Sequence, residues 1–268
     1  MIYDCHVPVY DENDYSALLA ETVQNLGFEK VCIRGGSARY GLVGNEGILE
    51  CAAQYPSIFM PAAYIDPGVA DPRDIEAYAR QDFVALWFEV PRQPYDTESY
   101  YPLYATAQAT GMPAFFRTGY MPATAFDRAL GIKMNHMRPT SIDTIARHFP
   151  DLPVIGTGLG GPWYEEAAAA LRHNDNLMYE LGGTQIARRN ADFFRTLLGP
   201  VNSAFGSGQN PAGLWSKIIF GTGVHYDRMA AAESDYQRLL RSIALPDDVV
   251  SDIMHANFES LFGDSEVQ

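Results

Sequence analysis

The sequence predicts an α/β protein, a single (βα)8 TIM barrel over residues 1–268 that ends in helices. Three observations carry this prediction. Short apolar runs alternate with helical-period segments along the chain, the mark of repeated βα units around a parallel sheet. Eight such runs can be counted, and eight units closing on themselves give a barrel rather than an open doubly wound sheet. No fixed repeat, low-complexity tract or linker-like charge run interrupts them, and 268 residues with 47% hydrophobic and 19% charged content suit one large domain.

The first strand is predicted over MIYDCHV (1–7), followed by DYSALLAETVQNLG, where Leu18, Leu19, Val23 and Leu26 make an apolar stripe and Gly27 suits the helix end. FEKVCIR (28–34) leads to the helix NEGILECAAQY. SIFMPAAYI (57–65) and FVALWFEV (83–90) come next, then the helix TESYYPLYATAQATG and the fifth strand, MPAFFRT (112–118). SIDTIARHF precedes LPVIGTG (152–158), YEEAAAALRH precedes NLMYEL (176–181), and ADFFRTLLG precedes KIIFGTG (217–223). LPDDVVSDIMHANFESLFG reads as one or two terminal helices.

Two irregular stretches stand out. GYMPATAFDRALGIKMNHMRP (119–139) follows the fifth strand, and a βα loop opens on the face where barrel enzymes keep their chemistry. It is either a methionine-rich lid or a helix-containing packing insertion. PVNSAFGSGQNPAGLWS (200–216) precedes the eighth strand, so it belongs to the opposite face and reads as structural or subunit-contacting.

The formal charge of -14, from 19 basic and 33 acidic residues, repels phosphate backbones and anionic membrane surfaces. Nucleic acid and membrane are therefore not expected as partners. Cys5, Cys32 and Cys51 are an odd count without C-x-x-C spacing and read as reduced thiols, two of them in apolar strand-like runs. No basic-then-apolar leader and no run of 18 apolar residues appears, so a cytoplasmic soluble protein is expected. A homodimer is the expectation from the prevalence of symmetric oligomers.

Several segments, taken in order, resemble the amidohydrolase-2 branch of the amidohydrolase superfamily, a group of TIM-barrel hydrolases and decarboxylases. MIYDCHVPV is similar to that branch's first-strand Asp-x-His-x-His, and YPLYATAQATGMPAFFRTG to its helix and fifth strand ending His-Thr-Gly. RPTSIDTIARHFPDLPVIGTGLGG resembles the stretch ending Gly-His-Leu-Gly-Gly, IIFGTG the eighth strand ending Phe-Gly-Ser/Thr-Asp, and HANFESLFG the closing helix. The resemblance implies an amidohydrolase-like barrel. It also implies which positions would hold metal, and there the chain departs. His6 is kept, but Pro8 stands for the second histidine, Arg117 for the fifth-strand histidine, Thr157 for the sixth-strand histidine and Gly223 for the eighth-strand aspartate. Trp87 occupies a fourth-strand position that is often polar or basic in such proteins.

A catalytic zinc needs about three protein ligands plus an open position, which one histidine cannot supply. Arg117 is permanently cationic and has no lone pair, so it repels a metal ion and suits a carboxylate, an enolate or a phosphate oxygen. No metal and no other cofactor is expected. Arg117 is read as an anion clamp in the metal's electrostatic place, or as one half of a buried ion pair with Glu89. Glu89 lies two residues beyond Trp87 and should face the same side; among aromatics its carboxyl would hold its proton more tightly, as a catalytic acid requires. Beyond Gly223 come His225, Tyr226 and Asp227, and His225 is a candidate for the missing aspartate's acid–base role, with His6 as the other proton carrier. Tyr120, His136 and Arg138 lie in or beside the candidate lid, and Trp163 could wall a pocket for a flat ligand. GLGGP is too short for a dinucleotide motif, and no P-loop, G-x-S-x-G elbow or usable Cys-His pair appears.

Two accounts follow. In the first, the chain is a metal-independent enzyme acting on a small, anionic carboxylated or phenolic molecule, by the lactone or ester hydrolysis or the decarboxylation that the resemblance implies, with a non-hydrolytic lyase, isomerase or cyclase also admitted by the lost ligands. In the second, it is an inactive binding protein or scaffold on the same barrel. Convergence of Arg117, His6 and either His225 or Glu89 on one open pocket favours the first; an Arg117 sealed by a carboxylate favours the second. A metal site rebuilt from His6, His136 and His225 would need three separated histidines to meet beside Arg117.

Overall fold

Eight parallel strands lie in the order β1 to β8, each hydrogen-bonded to the next in sequence. They are β1 (Tyr3–Pro8), β2 (Lys30–Arg34), β3 (Phe59–Ile65), β4 (Ala85–Phe88), β5 (Ala114–Phe116), β6 (Val154–Gly156), β7 (Leu177–Glu180) and β8 (Ile218–Ile219). This computed structural model describes residues 1–120, 124–182, 186, 189–200 and 212–262. The ring closes through backbone bonds from Cys5 N to Phe220 O at 3.0 Å and from Gly223 N to His6 O at 2.8 Å. Each predicted strand run meets one observed strand, and only β1 extends past its run, by one residue to Pro8.

Helices cover the outside as the periodicity requires. Leu19 and Val23 of α1 (Tyr15–Asn25) are buried, and Gly27 follows the helix at φ +69°, a conformation that glycine adopts without a Cβ clash. Leu18 departs from the predicted stripe and is exposed. The helices α2 (Asn45–Gln54), α4 (Tyr101–Thr110), α6 (Pro139–His148), α7 (Tyr164–His173) and α8 (Ala191–Leu198) fall within or beside their predicted segments. Two further helices are α3 (Pro72–Ala79), started by an Asp71–Asp74 capping box with Pro72 in its first turn, and α9 (Met229–Ile243).

Tyr3, Cys5, Cys32, Ala62, Ala85, Trp87, Phe115, Ile155 and Ile219 fill the barrel interior, with Trp87 stacked on Phe115 at 5.5 Å between ring centroids. Phe258 and Leu261 from the terminal helical segment (Asp247–Glu259 and the turn after it) join this cluster, and Phe258 packs edge-on against Tyr3 at the start of β1. That end is plugged, which leaves the C-terminal ends of the strands as the open face. Cys5, Cys32 and Cys51 are free thiols.

One irregularity in β1 positions the site. Asp4 pairs with Val31 and Val7 with Ile33, so β1 carries one residue more than β2 across this interval. The bulge lets Cys5 pack inside the barrel while His6 joins the wall of the cavity at its mouth. Asp4 holds it in place: its carboxylate accepts from His6 N and Thr222 N, each at 3.0 Å, and from Thr222 Oγ1 at 2.6 Å.

The stretch 119–139 contains the short helix α5 (Ala125–Ala129) and a 3-10 turn (Met134–Met137); residues 121–123 lie outside the described residues. It is pinned to the loop after β2, where Tyr40 donates to Asp127 and the Arg39 guanidinium lies 4.3 Å over the Phe126 ring. Of the stretch 200–216, residues 201–211 lie outside the described residues, and the turn Gly213–Lys217 buries Leu214 and Trp215.

Candidate active site

A cavity of about 190 Å³ opens at the C-terminal end of the barrel, small beside the roughly 300–1,000 Å³ of drug-sized sites. His6 enters it from β1, Arg34 from β2, Trp87 from β4 and Glu180 from β7, while Arg117, Thr157 and Gly223 come from just beyond β5, β6 and β8.

His6 and Glu180 form a buried pair, with Nδ1 3.1 Å from Oε1. An ionised carboxylate only accepts, so Nδ1 carries the proton and Nε2 of the neutral ring presents its lone pair. Burial pulls the His6 pKa below its ordinary value, against the opposing effect of Glu180, and the Arg34 and Arg117 charges reinforce the shift. Glu180 is fixed in turn by the backbone N–H groups of Gly158, at 3.0 Å, and of Gly182. A side chain at Gly182 would place Cβ 2.4 Å from the Glu180 carboxylate, so the tight turn needs glycine there. Behind this pair, burial pushes the Asp4 carboxyl up to about 7, against three hydrogen bonds that favour the ionised form.

The opposite wall is cationic. Arg34 Nη1 donates to Glu89 Oε2 at 3.2 Å, and Arg117 Nη1 donates to Oε1 of the same carboxylate. Burial alone would raise Glu89, but Arg117 and Arg34 together hold it below the usual carboxylate range. The expectation that aromatic surroundings would make Glu89 a proton-holding acid is therefore reversed. One carboxylate cannot neutralise two guanidinium groups, so the cluster keeps one positive charge. Arg117 is paired yet not sealed: its side chain stays 31% exposed and lines the cavity.

Trp87 joins the two walls, its ring centroid 4.4 Å from that of His6 and 4.8 Å from the Arg34 guanidinium carbon. Thr157 accepts from Thr118 N at 3.1 Å and receives the Thr118 hydroxyl on its carbonyl at 2.5 Å, which ties the ends of β5 and β6 together. Tyr120 lines the mouth and is exposed.

The other predicted residues lie elsewhere. His225 and Asp227 line a separate cavity of about 420 Å³ with Tyr10 and Arg228, and of the first cavity's lining only Gly223 is shared. Both His225 nitrogens are engaged, Nδ1 with Asp227 at 2.8 Å and Nε2 with Glu12 at 3.3 Å, and Tyr226 packs on Tyr15 of α1. The loop after β8 thus turns outward over α1, and His225 is not brought to His6. His136 is buried, with Nδ1 3.1 Å from the Pro91 carbonyl, and stabilises the loop end. Arg138 forms a bidentate pair with Glu166 and lies 5.0 Å over Trp163, so that arginine and tryptophan satisfy each other outside the cavity lining.

Sequence reasoning missed Arg34, Glu180 and the positioning carboxylate Asp4. The available signal was a charged residue at or next to the end of an apolar run, Arg34 in FEKVCIR and Glu180 in NLMYEL, since a charge at the C-terminal end of a barrel strand faces the reaction side.

The donor set does not fit a divalent cation. Among the described residues no group of three or more His, Cys, Asp or Glu side chains is placed to hold one. His6 and Glu180 are committed to each other, and two guanidinium groups share their cavity.

Known structures share the fold over nearly the whole chain. An uncharacterised TIM-barrel protein from Bordetella bronchiseptica is 20% identical, with a TM-score of 0.71 over 97% of both chains. The 5-carboxyvanillate decarboxylase of Sphingomonas paucimobilis is 13% identical, with a TM-score of 0.64 over 97% of this chain and 98% of that one. A probable 2-pyrone-4,6-dicarboxylic acid hydrolase from Acinetobacter baumannii, with citric acid bound, is 12% identical, with a TM-score of 0.63 over 98% and 99%. No curated protein matches the sequence. The amidohydrolase family model matches residues 43–263, which take in β3 to β8 with Glu89, Arg117 and Glu180, and on that evidence the chain belongs to the amidohydrolase family.

Proposed function

We propose that this protein is a metal-independent hydrolase that opens a small carboxylated lactone or ester. The observation that carries the reading is one cavity holding a neutral, carboxylate-oriented histidine opposite a cluster with an uncompensated positive charge. Arg117, the more exposed of the two guanidinium groups, holds the substrate carboxylate. His6 Nε2 takes the proton of a water molecule as its oxygen adds to the carbonyl carbon, and Glu180 stabilises the imidazolium that results.

Decarboxylation of a phenolic acid is the other activity that the family allows. It needs a proton donor at the ring carbon, whereas burial keeps His6 unprotonated, and this favours hydrolysis. Two structural neighbours are named for carboxylated ring compounds, which agrees with an acidic, cyclic substrate. An inactive scaffold gains support from the Arg117–Glu89 pair, but that pair leaves Arg117 accessible.

The test is acid release from a panel of carboxylated lactones in the presence of chelator. Wild-type protein turns over at least one, and His6→Asn removes turnover while calorimetric binding of benzoate persists. Activity that appears only on adding zinc or manganese, or that survives His6→Asn, sinks the reading; benzoate binding without turnover of any lactone favours the scaffold.

A further inference from the structure

The hydrolytic reading leaves the carbonyl oxygen of the substrate without a partner. Three residues of the cavity wall carry buried polar atoms that make no hydrogen bond: His6 Nε2, Arg34 Nε and Trp87 Nε1. A buried polar atom left unpaired is costly, and three of them on adjoining residues of one cavity wall point to a ligand. They are also neighbours, through the 4.4 Å contact of Trp87 with His6 and the 4.8 Å contact of Arg34 with Trp87.

Their chemistry divides into one lone pair and two N–H donors. Both donors are held still. Arg34 is tied through Nη1 to Glu89 and to the Gly35 carbonyl, and Trp87 is 1% exposed and stacked on Phe115 at an interplanar angle of 16°. Preorganised donors beside a base, sheltered from bulk water, stabilise charge that develops during reaction. The charge count points the same way. Glu89 offsets one of the two guanidinium charges, and the substrate carboxylate held by Arg117 offsets the other. The Arg34–Trp87 corner therefore suits a transient negative charge better than a second permanent one.

We propose that Arg34 Nε–H and Trp87 Nε1–H are the oxyanion-binding pair of this site, an assignment that rests on the hydrolytic reading. As the water oxygen bonds to the carbonyl carbon and its proton passes to His6 Nε2, the C=O π pair moves onto the oxygen held by these two donors. When that pair returns, the bond to the ring or ester oxygen breaks, and this oxygen takes the proton back from His6. One lactone and one water give one hydroxy acid; an ester gives an acid and an alcohol.

Trp87→Phe keeps an aromatic ring in the stack and deletes the Nε1–H. On the best carboxylated lactone, kcat falls about a hundredfold, while KM stays within about twofold and benzoate affinity is retained. Arg34→Lys, which keeps a charge beside Glu89, shows the same split. A wild-type kcat in Trp87→Phe, or a loss that appears as raised KM and weakened benzoate binding, overturns the oxyanion assignment and leaves hydrolysis standing. Failure of the wild type to open any carboxylated lactone overturns the hydrolytic reading and takes the assignment with it.

Discussion

Glu180 holds His6 through Nδ1 at 3.1 Å and is itself held by the N–H groups of Gly158 and Gly182. The direction of this bond fixes which nitrogen is basic. Glutamine at 180 can donate its amide N–H to Nδ1 and so move the ring proton to Nε2, where the lone pair is needed. Glu180→Gln is expected to lower kcat by about a thousandfold or more, as inversion of a catalytic tautomer does, with a smaller effect on KM. Steady-state kinetics on the best lactone, with circular dichroism to verify the fold, tests this; wild-type kcat in the variant would show that Glu180 does not orient the base.

The same pair sets the pH dependence of activity. Burial lowers the His6 pKa from its ordinary 6.5, and the neutral ring is the active form. The rate therefore rises with pH along an acid limb whose midpoint lies below 6.5 and is level by neutrality. A pH profile of kcat/KM measures it. A midpoint above 6.5 would mean that Glu180 outweighs burial and that His6 carries a proton in the resting site.

Asp4 makes the opposite kind of prediction, on stability. Its carboxyl titrates at about 7 when folded against 3.8 as an ordinary aspartate, so between these values the folded state binds more protons than the unfolded chain. Stability falls as pH rises through this window, and above it the full penalty is present, on the order of a few kcal/mol. Asparagine can replace each contact: its oxygen accepts from His6 N and Thr222 N, and its amide donates to the Thr222 hydroxyl. Asp4→Asn is expected to leave the melting temperature nearly unchanged at about pH 4 and to raise it at pH 8. Thermal unfolding at the two pH values decides, and an equal loss at both would mean that the carboxylate is needed ionised.

Much of the barrel was legible in the sequence because each strand is a short apolar run that the barrel buries, and such runs survive single-sequence reading. Their ends were not. KIIFGTG predicts seven strand residues, yet only Ile218–Ile219 pair with β7, because Thr222 leaves the ladder to bind Asp4. The extra residue in β1 has no sequence mark, and it depends on that same Asp4 contact made 218 positions away. His225 was misplaced for a related reason: nearness to Gly223 along the chain does not say which way the loop turns, and the aromatic face of Tyr10 and Tyr15 draws it outward. Arg117 and His6 were found because each stands at a position where a metal-binding chain would have a ligand.

Glu89 is the charge on which the cationic wall depends. It is fully buried, and its two oxygens meet two different guanidinium groups. Glu89→Gln leaves these like charges adjacent with no anion between them, at an expected cost of about 3–5 kcal/mol in stability. An anion in the cavity then does part of Glu89's work. Added benzoate is expected to raise the melting temperature of the variant more than that of wild type, and an equal rise in both proteins would mean that a bound carboxylate does not take Glu89's place between the guanidinium groups.

Metal content tests the electrostatic argument as a whole. Zinc held by a catalytic site requires about three ligands, and around this cavity the described side chains offer one histidine already bonded to its carboxylate, beside two cations. Protein grown with added zinc, manganese and iron should carry less than about a tenth of an equivalent of each by plasma mass spectrometry, against the full equivalent of an intact three-ligand site. Arg117→His adds a ligand and removes one of the opposing charges, yet Pro8 and Gly223 still cannot coordinate, and Arg34 still faces the site. That variant should remain metal-poor. Tight binding after the single change would show that one guanidinium, rather than the loss of several ligands, is what keeps a cation out, and a full equivalent in the wild type would overturn the argument from the two guanidinium groups.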